Sequence, residues 1–368
     1  MQLSSLGWND YFAAQFAEFD NTNYFPGRIS RENRNNYGVL TENGESLGEL
    51  SGRFMHTAAE RGMYPAVGDW VVLQAQEGRN RTVIHAVLPR LSQFSRKAVR
   101  SGGNPDAKGR TEEQVLAANI DTVFLISGLD MDFNLRRIER YTTIAWDSGA
   151  SPVIILNKAD LCADIDEKIA AVEEIAIGVP IFAISAATGS GLEQVSTYLS
   201  DGQTIAFLGS SGVGKSTLIN ALAGTERMKT TDVRDYDNRG RHTTTHRELI
   251  VLDTGGVVID TPGLRVLKAW DNEEGLERTF SDIEEIASQC RFADCKHESE
   301  PGCAIRGALD SGAIDPKRYQ SYLKLQKELA HLARRKDVKR IRQESREWDK
   351  KVRRHHEAMK QLRKRGLA

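Results

Sequence analysis

The sequence has no long apolar run. No stretch of its 368 residues approaches the roughly 20 consecutive apolar residues that a membrane-spanning helix needs. Residues 1–8 contain neither a basic segment nor an apolar core, so we expect them not to be a secretory signal peptide. We therefore expect a cytoplasmic protein that does not engage a membrane.

Cysteine is scarce, with four residues in the chain. Three of them lie close together with a histidine: Cys290, Cys295, His297 and Cys303. This grouping favours metal binding over a disulfide framework. Three thiolates and one imidazole suit tetrahedral Zn²⁺, and four protein ligands leave no open position for catalysis. We predict one structural zinc ion; the alternative is a set of buried free cysteines.

Net charge is also nearly absent, −1 at pH 7, but the charges are unevenly distributed. Residues 319–368 hold 17 Lys and Arg against 6 Asp and Glu, a net of +11, which leaves −12 on the rest. The same segment carries apolar residues at helical spacing, from Tyr322 to Leu362. A basic helical tail on an acidic body indicates a polyanionic partner such as RNA, although many basic helices are simply solvated.

Short strands are present in the first quarter of the chain. Apolar and alternating segments between residues 25 and 92, with a hairpin turn at Asn43-Gly44, predict about five strands. This number of short strands predicts an N-terminal β-barrel of the OB-fold type over 25–95, after an extension at 1–24. The alternative is a sandwich fragment that packs on the next domain. Residues 96–112, which include Gly102-Gly103-Asn104-Pro105, are predicted to be a linker.

From residue 113 the pattern changes to alternating strands and helices. This pattern predicts an α/β domain over 113–270, with a mostly parallel sheet between two layers of helices. The predicted strands are 122–126, 153–156, 181–184, 204–208 and 257–259. A zinc-binding helical domain over 271–318 and the basic helical tail at 319–368 follow. Ligands bind at the carboxyl ends of strands in such sheets, so motifs at strand ends are candidate site residues.

A phosphate-binding loop is predicted directly after strand 204–208. It comprises Gly209, Ser210, Ser211, Gly212, Val213, Gly214, Lys215 and Ser216, with Thr217 next. The glycines let backbone N–H groups face a phosphate, and the following helix adds the positive end of its dipole. Lys215 is predicted to bridge the β- and γ-phosphates, and Ser216 to ligate Mg²⁺.

Asp260 ends strand 257–259 and begins the tetrapeptide Asp-Thr-Pro-Gly. Its carboxylate is predicted to lie on the Mg²⁺ side of the nucleotide, and the Gly263 N–H to meet the γ-phosphate. Such a tetrapeptide alone is often a plain turn. Its position downstream of a phosphate loop favours the nucleotide role.

A guanine-specific loop is predicted after strand 153–156, at Asn157, Lys158, Ala159 and Asp160. The Asp160 carboxylate can accept both N1–H and N2–H of guanine, and adenine offers no such pair of donors. Ser185 and Ala186 match the usual companion loop. Each signal alone is weak, since Asp160 could instead cap a helix and Ser-Ala-Ala is often a strand-end turn. Together they predict binding of GTP and GDP.

The order of these motifs is unusual. In an ordinary G protein the phosphate loop comes first and the guanine loops come last. Here the guanine loop at 157–160 precedes the phosphate loop at 209–216. The sequence therefore predicts a circularly permuted P-loop GTPase with the motif order G4-G5-G1-G2-G3.

A switch segment is predicted at residues 239–245, between the phosphate loop and Asp260. Thr244 or Thr245 is expected to ligate Mg²⁺, and the sequence does not choose between them. Leu264 stands where many G proteins have a glutamine that orients water. His242 is the nearest candidate for that catalytic role, and the alternative is a solvated loop histidine.

Several further segments match one family. They are residues 64–71 (YPAVGDWV), 88–90 (LPR), 113–121 (EQVLAANID) and 240–245 (GRHTTT), together with the Cys/His spacing. From residue 25 to residue 305 the chain resembles ribosome small subunit-dependent GTPase A (RsgA, also YjeQ or YloQ), a bacterial assembly factor. The resemblance implies an OB-fold, a permuted GTPase domain and a zinc domain. It also implies GTP hydrolysis stimulated by the small ribosomal subunit, late in that subunit's maturation, with His242 serving hydrolysis.

Two functions from different classes remain open. The leading hypothesis is a monomeric GTPase that binds the small ribosomal subunit and its rRNA and uses hydrolysis to time its release. The alternative is an RNA-binding adaptor that holds a guanine nucleotide for structure or regulation, which Leu264 and the basic tail favour. An ATP-dependent kinase is disfavoured by Asn157 and Asp160. A GTPase assay with and without small subunits separates the first two.

Overall fold

The computed structural model describes residues 1–19, 23–33, 36–58, 60–76, 81–99, 111–200, 202–224, 247–253, 255–260 and 274–330. Several predicted features lie outside these residues. They are the switch segment with His242, Thr244 and Thr245, the residues Gly263 and Leu264, and the tail from 331 to 368.

The predicted N-terminal barrel is confirmed. Its strands are β1 (Tyr24–Glu32), β2 (Tyr37–Thr41), β3 (Gly44–Leu50), β4 (Trp70–Ala75) and β5 (Arg81–Val87). They follow the order β1-β2-β3-β5-β4, and β4 pairs with β1 to close the ring. Helix α2 (Gly52–Thr57) connects β3 to the segment before β4. Inward-facing Ile29, Val39, Val71, Leu73 and Ile84 are fully buried and form the barrel core.

The N-terminal residues pack against the outside of this barrel. Helix α1 (Asp10–Phe16) is capped by Asn9, whose side chain accepts a hydrogen bond from Phe12 N at 3.2 Å. The rings of Trp8 and Phe12 lie against Trp70, with centroid distances of 4.7 and 5.9 Å. Because Trp70 and Phe12 are almost fully buried, this aromatic cluster fixes the extension to the barrel.

A β-hairpin follows the barrel and corrects one prediction. Strands β6 (Gln93–Val99) and β7 (Thr111–Ala118) pair antiparallel, so residues 96–99 and 111–112 of the predicted linker belong to strands. Residues 100–110 lie outside the described part of the chain. The linker prediction rested on Gly and Pro in the connection, and pairing between segments on either side of it has no local signal.

The predicted α/β domain is confirmed as a parallel sheet between two layers of helices. Its strands are β8 (Thr122–Gly128), β9 (Ser151–Asn157), β10 (Ile181–Ala183), β11 (Thr204–Gly209), β12 (Glu248–Val251) and β13 (Val257–Asp260). Their order is β10-β9-β8-β11-β13-β12, and β12 alone among them runs antiparallel to its neighbour. All residues of β8 and β11 are buried, as expected for strands covered on both faces.

Among the described residues, four helices cover this sheet. They are α3 (Leu135–Asp147), α4 (Ile165–Glu173), α5 (Leu192–Ser196) and α6 (Lys215–Ala223). Ile138 of α3 and Val172 of α4 belong to the core on one face. Val195 of α5 and Leu218 of α6 belong to the core on the other face. The two cores hold the sheet in place and fix the positions of the loops at its strand ends.

The barrel and the α/β domain share one continuous sheet of eleven strands. Strand β12 pairs with β13 on one side and with β1 of the barrel on the other, where Arg31 is opposite Glu248. An ion pair between Arg247 Nη1 and Glu32 Oε2, at 3.1 Å, adds to this junction. The barrel is therefore joined to the strand that leads into β13 and Asp260.

Arg28 is a second element of the same junction and is 1% exposed. Burial lowers its pKa to about 10, although the carboxylates of Asp121 and Asp69 oppose that effect. The guanidinium donates hydrogen bonds to four segments of the chain, through Leu6 O, Gly68 O, Asn119 O and Thr204 Oγ1. Each acceptor compensates part of the cost of burying this cation.

The C-terminal region is helical. Its helices are α7 (Glu274–Thr279), α8 (Ser281–Ser288), α9 (Ala304–Ser311) and a helix over 316–330. Arg318 is buried and forms ion pairs with Asp282 and with Glu139 of α3, at 2.7 and 2.9 Å. Tyr322, Leu325 and Leu329 of the predicted apolar stripe are buried, so the start of the basic tail packs on protein. Within the described residues, no helix combines the length and apolar character needed to cross a bilayer.

Candidate nucleotide site and metal centre

The predicted phosphate loop joins β11 to α6. Gly212 and Gly214 adopt positive φ values of 78° and 95°, which glycine accepts without steric cost. Lys215 begins α6, and its Nζ donates to Gly209 O at 2.7 Å and to Ser210 O. The lysine side chain therefore lies back over the loop that precedes it.

The loop is open to solvent on one side. Val213 is buried, whereas Ser211 and Gly212 are exposed. Lys215 and Ser216 are half-buried in the first turn of α6, as is Thr217. A ligand can therefore reach the loop and the helix N-terminus from outside, while Val213 anchors the loop in the core.

Asn157 brings three predicted segments together. It ends β9 and is 2% exposed. Its Nδ2 donates to Val213 O of the phosphate loop at 2.7 Å, and its Oδ1 accepts from Ala186 N of the companion loop at 2.9 Å. A Cβ atom on Gly214 would lie 2.3 Å from the same Nδ2, so this position requires glycine. The guanine, companion and phosphate loops therefore meet at one buried carboxamide.

The rest of the predicted guanine loop is positioned by backbone contacts. Lys158 adopts a left-handed φ of 67°, and Ala159 N donates to Ile184 O at 3.0 Å. Asp160 lies in a 3₁₀ turn (Ala159–Leu161) and is exposed. The alternative interpretation of Asp160 as a helix cap is wrong, because α4 begins only at Ile165. An exposed carboxylate at this point is accessible to a base.

The companion loop forms a tight turn at the end of β10. Ser185 is 1% exposed, and its Oγ accepts from Thr188 N at 3.2 Å. Ser185 N donates to Ser190 O at 2.9 Å. These bonds fix Ala186 N in the position from which it donates to Asn157.

Asp260 ends β13, the neighbour of β11 in the sheet. The register places Ile259 beside Ala206, so Asp260 lies on the same sheet edge as the phosphate loop. It is half-buried and faces Glu248 in the adjacent strand pair. The other predicted partners on the phosphate side (His242, Thr244, Thr245 and Gly263) lie outside the described residues.

Two acidic residues at this edge were not predicted from sequence. Asp130 and Asp132 follow β8, the strand between β9 and β11. Asp130 Oδ2 pairs with Lys158 Nζ at 2.6 Å, and Asp132 Oδ2 accepts from Ser210 Oγ at 2.7 Å. Burial alone would raise the pKa of Asp130, but the hydrogen bonds from Lys158 and Asp132 N hold it below its ordinary value. Their position after a strand was the available sequence signal.

The four predicted zinc ligands form one cluster, with their ligand atoms within 4.8 Å of one another. Sγ of Cys290 lies 3.5 Å from His297 Nδ1 and 4.0 Å from Sγ of Cys303, and Cys303 Sγ is 3.4 Å from the same nitrogen. Tetrahedral bonds of about 2.3 Å to sulfur and about 2.1 Å to nitrogen separate ligand atoms by about 3.6–3.8 Å. The cluster could therefore hold a tetrahedral metal ion.

Backbone geometry prepares this cluster. His297 has a φ of 61°, an uncommon value for a residue other than glycine, and its ring lies among the thiols. Cys303 immediately precedes α9. Burial would raise the pKa of Cys290, but the amides of Ile305 and Ala304 at the start of that helix hydrogen-bond its sulfur and lower it. A thiolate, the form that binds metal, is thereby favoured at Cys290.

Comparison with known proteins gives matches over most of the chain. A family model described as RsgA GTPase matches residues 87–270, and one described as 50S ribosome-binding GTPase matches residues 204–355. An Opitutus terrae protein, named small ribosomal subunit biogenesis GTPase RsgA, is 48% identical over 95% of this chain and 96% of its own length. The crystal structure of YjeQ from Thermotoga maritima has a TM-score of 0.60 and 30% identity, over 83% of this chain and 99% of that one. YloQ, described as a circularly permuted GTPase, has a TM-score of 0.57 and 25% identity, over 85% and 97%.

Strand order and motif order agree with these matches. The strand that ends at Asn157 precedes the strand that leads to Gly209 along the chain, yet both lie beside β8 in one parallel sheet. The circular permutation predicted from motif order is thus confirmed by the fold and by the similarity to YloQ. The chain belongs to the RsgA GTPase family of GTP-hydrolysing enzymes.

Proposed function

We propose that this GTPase acts in late maturation of the small ribosomal subunit. It binds the subunit and its rRNA, hydrolyses GTP to GDP and phosphate when the subunit stimulates it, and uses hydrolysis to time its release. The observation that carries the nucleotide part is the meeting of three loops at Asn157. The subunit is inferred from the relative that is named for small ribosomal subunit biogenesis. We further propose that the protein is monomeric and cytoplasmic.

The guanine base lies against the loop at 157–160. Asp160 accepts the two donors of guanine, and its exposure supports this role. The Lys158 stem covers the purine face, while Asn157 and Ala159 fix the loop. Ser185 and Ala186 close the base site from the companion loop, because Ala186 N is bound to Asn157.

The phosphates lie over the loop at 209–216 and the N-terminus of α6. Lys215 contacts the β- and γ-phosphates, and the loop N–H groups bind the β-phosphate. Ser216 and one of Thr244 and Thr245 ligate Mg²⁺, with Asp260 on the same side. Ser216 is half-buried in the first turn of α6 and Asp260 is half-buried on a neighbouring strand, which suits this donor set. Bound Mg²⁺ offsets the negative charge on the phosphates.

Hydrolysis is assigned to His242, which orients or deprotonates the attacking water. Leu264 has no polar atom that could perform this task. Gly263 N–H stabilises the γ-phosphate. We propose that stimulation by the small subunit increases the rate of this step.

Zinc is assigned to the cluster of Cys290, Cys295, His297 and Cys303 as one structural ion. The spacing of the ligand atoms suits tetrahedral coordination, and four protein ligands leave no position for a substrate. The ion stabilises the loop between α8 and α9, which has little apolar core of its own.

Turnover of GTP with purified subunits tests this function. We expect small subunits to increase the rate of GTP hydrolysis, and large subunits at equal concentration to leave it unchanged. The large-subunit control is informative because one matching family is described as 50S ribosome-binding. Binding of small subunits with no increase in turnover would instead support the adaptor that holds a guanine nucleotide for structure or regulation.

A further inference from the structure

A short acidic segment between β8 and α3 contacts both halves of the proposed nucleotide site. Asp130 binds Lys158 of the guanine loop at 2.6 Å, and Asp132 accepts from Ser210 of the phosphate loop at 2.7 Å. The two carboxylates are two residues apart in sequence. One short segment therefore contacts two loops that are about 50 residues apart along the chain.

The segment is itself held in one conformation. Asp132 N donates to Asp130 Oδ1 at 3.0 Å, and Phe133 N donates to Asp130 O at 3.1 Å. At the start of the segment, Leu129 N donates to Asn157 O at 2.8 Å. These bonds make a turn in which the Asp130 side chain supports the backbone of Asp132. A rigid turn can fix the positions of the groups that it binds.

Acidic side chains repel the phosphates of a bound nucleoside triphosphate unless their charge is neutralised. Each carboxylate here has a cationic partner: Lys158 for Asp130, and Arg137 for Asp132 at 2.8 Å. All four side chains are between 23% and 30% exposed, so these pairs are more shielded than ordinary surface pairs. The arrangement retains two negative charges near an anion site while cancelling their repulsion.

We propose that Asp130 and Asp132 are positioning residues for the guanine nucleotide, which hold Lys158 against the purine face and Ser210 in the phosphate loop. The proposal rests on the proposed nucleotide site. Neither carboxylate contacts the reacting atoms, and both act through the loop residue that they bind. Their effect is on affinity for GTP and GDP alike, because base and phosphate-loop contacts are common to both nucleotides.

The direction in which a charge-removing substitution changes the nucleotide Kd separates this proposal from a purely electrostatic effect. Asp130→Asn removes a negative charge from the site proposed for an anionic nucleotide, which by itself would tighten nucleotide binding. Loss of the ion pair that holds Lys158 would weaken nucleotide binding. Because the two effects have opposite signs, the direction of the change in Kd identifies the dominant one.

Isothermal titration of the full-length protein with GDP and Mg²⁺ is the measurement. We expect Asp130→Asn to weaken GDP and a non-hydrolysable GTP analogue equally, by roughly three- to tenfold. The kcat at saturating GTP should stay unchanged while KM rises. Glu167→Gln is the matched control, since it removes one charge from the exposed face of α4 and should leave the Kd unchanged.

A double-mutant cycle tests the route of action. If Asp130 acts through Lys158, Asp130→Asn has no further effect in a Lys158→Ala background, and Asp132→Asn has none in a Ser210→Ala background. The proposal would be overturned if an Asp→Asn substitution weakened nucleotide binding equally in the wild-type and the partner-variant backgrounds. It would also be overturned if the substitution tightened binding, or left it unchanged, in the wild-type background. Absence of GDP binding to the wild-type protein would instead refute the proposed nucleotide site, so the two failures are distinguishable.

Discussion

Asn157 Nδ2 donates to Val213 O at 2.7 Å, and this bond joins the strand that ends in the guanine loop to the turn that forms the phosphate loop. Both groups are buried, so water cannot replace either partner at low cost. The distance between the base-binding and phosphate-binding loops is therefore set by the protein before a nucleotide arrives. Such pre-organisation reduces the ordering that binding requires.

Base selectivity should depend on Asp160. Asp160→Asn should weaken the binding of GTP and strengthen the binding of xanthosine triphosphate. The C2 carbonyl of xanthine accepts a hydrogen bond where the guanine amine donates one. Each mispaired buried group costs about 1–3 kcal/mol. Competition binding with the two triphosphates measures the change. A variant that binds GTP as tightly as the wild type would show that the guanine loop is wrongly assigned.

Zinc should stabilise the C-terminal region without affecting the nucleotide. Elemental analysis should find about one Zn²⁺ per chain. Cys295→Ser should lower the protease resistance of the region after residue 274 and leave the GDP affinity unchanged. Cys162→Ser, which changes the cysteine outside the cluster, is the control and should alter neither property. A metal-free protein whose C-terminal region resists proteolysis would contradict a structural zinc site.

His242 should matter far more for GTP hydrolysis than for nucleotide binding. His242→Ala should lower the subunit-stimulated kcat on the order of 100-fold, because the attacking water loses its polar partner. The nucleotide Kd should change little. His246→Ala, which removes the histidine directly after this segment, should retain stimulated turnover. Should turnover survive in His242→Ala, the catalytic group must come from the backbone, a bound ion or the ribosome.

The basic tail should bind RNA by contacting the phosphates of the RNA backbone. Deleting residues 334–368 should weaken binding to the small subunit and flatten its salt dependence, because each lost phosphate contact removes a log–log slope of about 0.7–0.9. GTP affinity should stay unchanged. Binding measured over a range of salt concentrations gives the slope. If truncated and full-length proteins share one slope, the tail is a solvated helix and the barrel and GTPase domains carry the attachment.

The ion pair of Glu32 and Arg247 should couple the barrel to turnover. Arg247 lies two residues after the segment that contains His242, and its side chain is 16% exposed. Glu32→Gln and Arg247→Gln should each lower subunit stimulation, and the double variant should lower it no further than either alone. Arg81→Gln breaks a more exposed Arg–Glu pair within the barrel, with Glu49, and should leave stimulation unchanged. Additive effects of Glu32→Gln and Arg247→Gln would show that the pair does not act as a unit.

Local patterns predicted the parts of this protein whose chemistry is local. The phosphate loop follows from the spacing of Gly209, Gly214 and Lys215 between a strand and a helix. The cluster of Cys290, Cys295, His297 and Cys303 follows from the spacing of cysteine and histidine, and the barrel from its run of short strands. In each case the residues that define the feature are close together in sequence, so the pattern was visible without a sheet order.

Features that depend on distant contacts were not predicted. The hairpin of β6 and β7 pairs segments on either side of residues 100–110, which the sequence indicated only as a linker. Asp130 and Asp132 contact the two predicted loops because β8 lies between β9 and β11, and sheet order cannot be derived from strand patterns alone. Arg28 lies in a predicted strand, but its burial depends on acceptors from four separate segments.

Strand β1 belongs to two structures at once, since its first half closes the barrel against β4 and its second half continues the GTPase sheet through β12. A fragment that begins at residue 113 would keep β12 but lose its neighbour, leaving a bare strand edge. Exposed edges recruit other chains, so such a fragment is prone to self-association. During synthesis the barrel leaves the ribosome before residues 248–260. The common sheet is complete only when those residues have also emerged. Strand β1 is therefore synthesised before β12, the strand through which it joins the GTPase sheet.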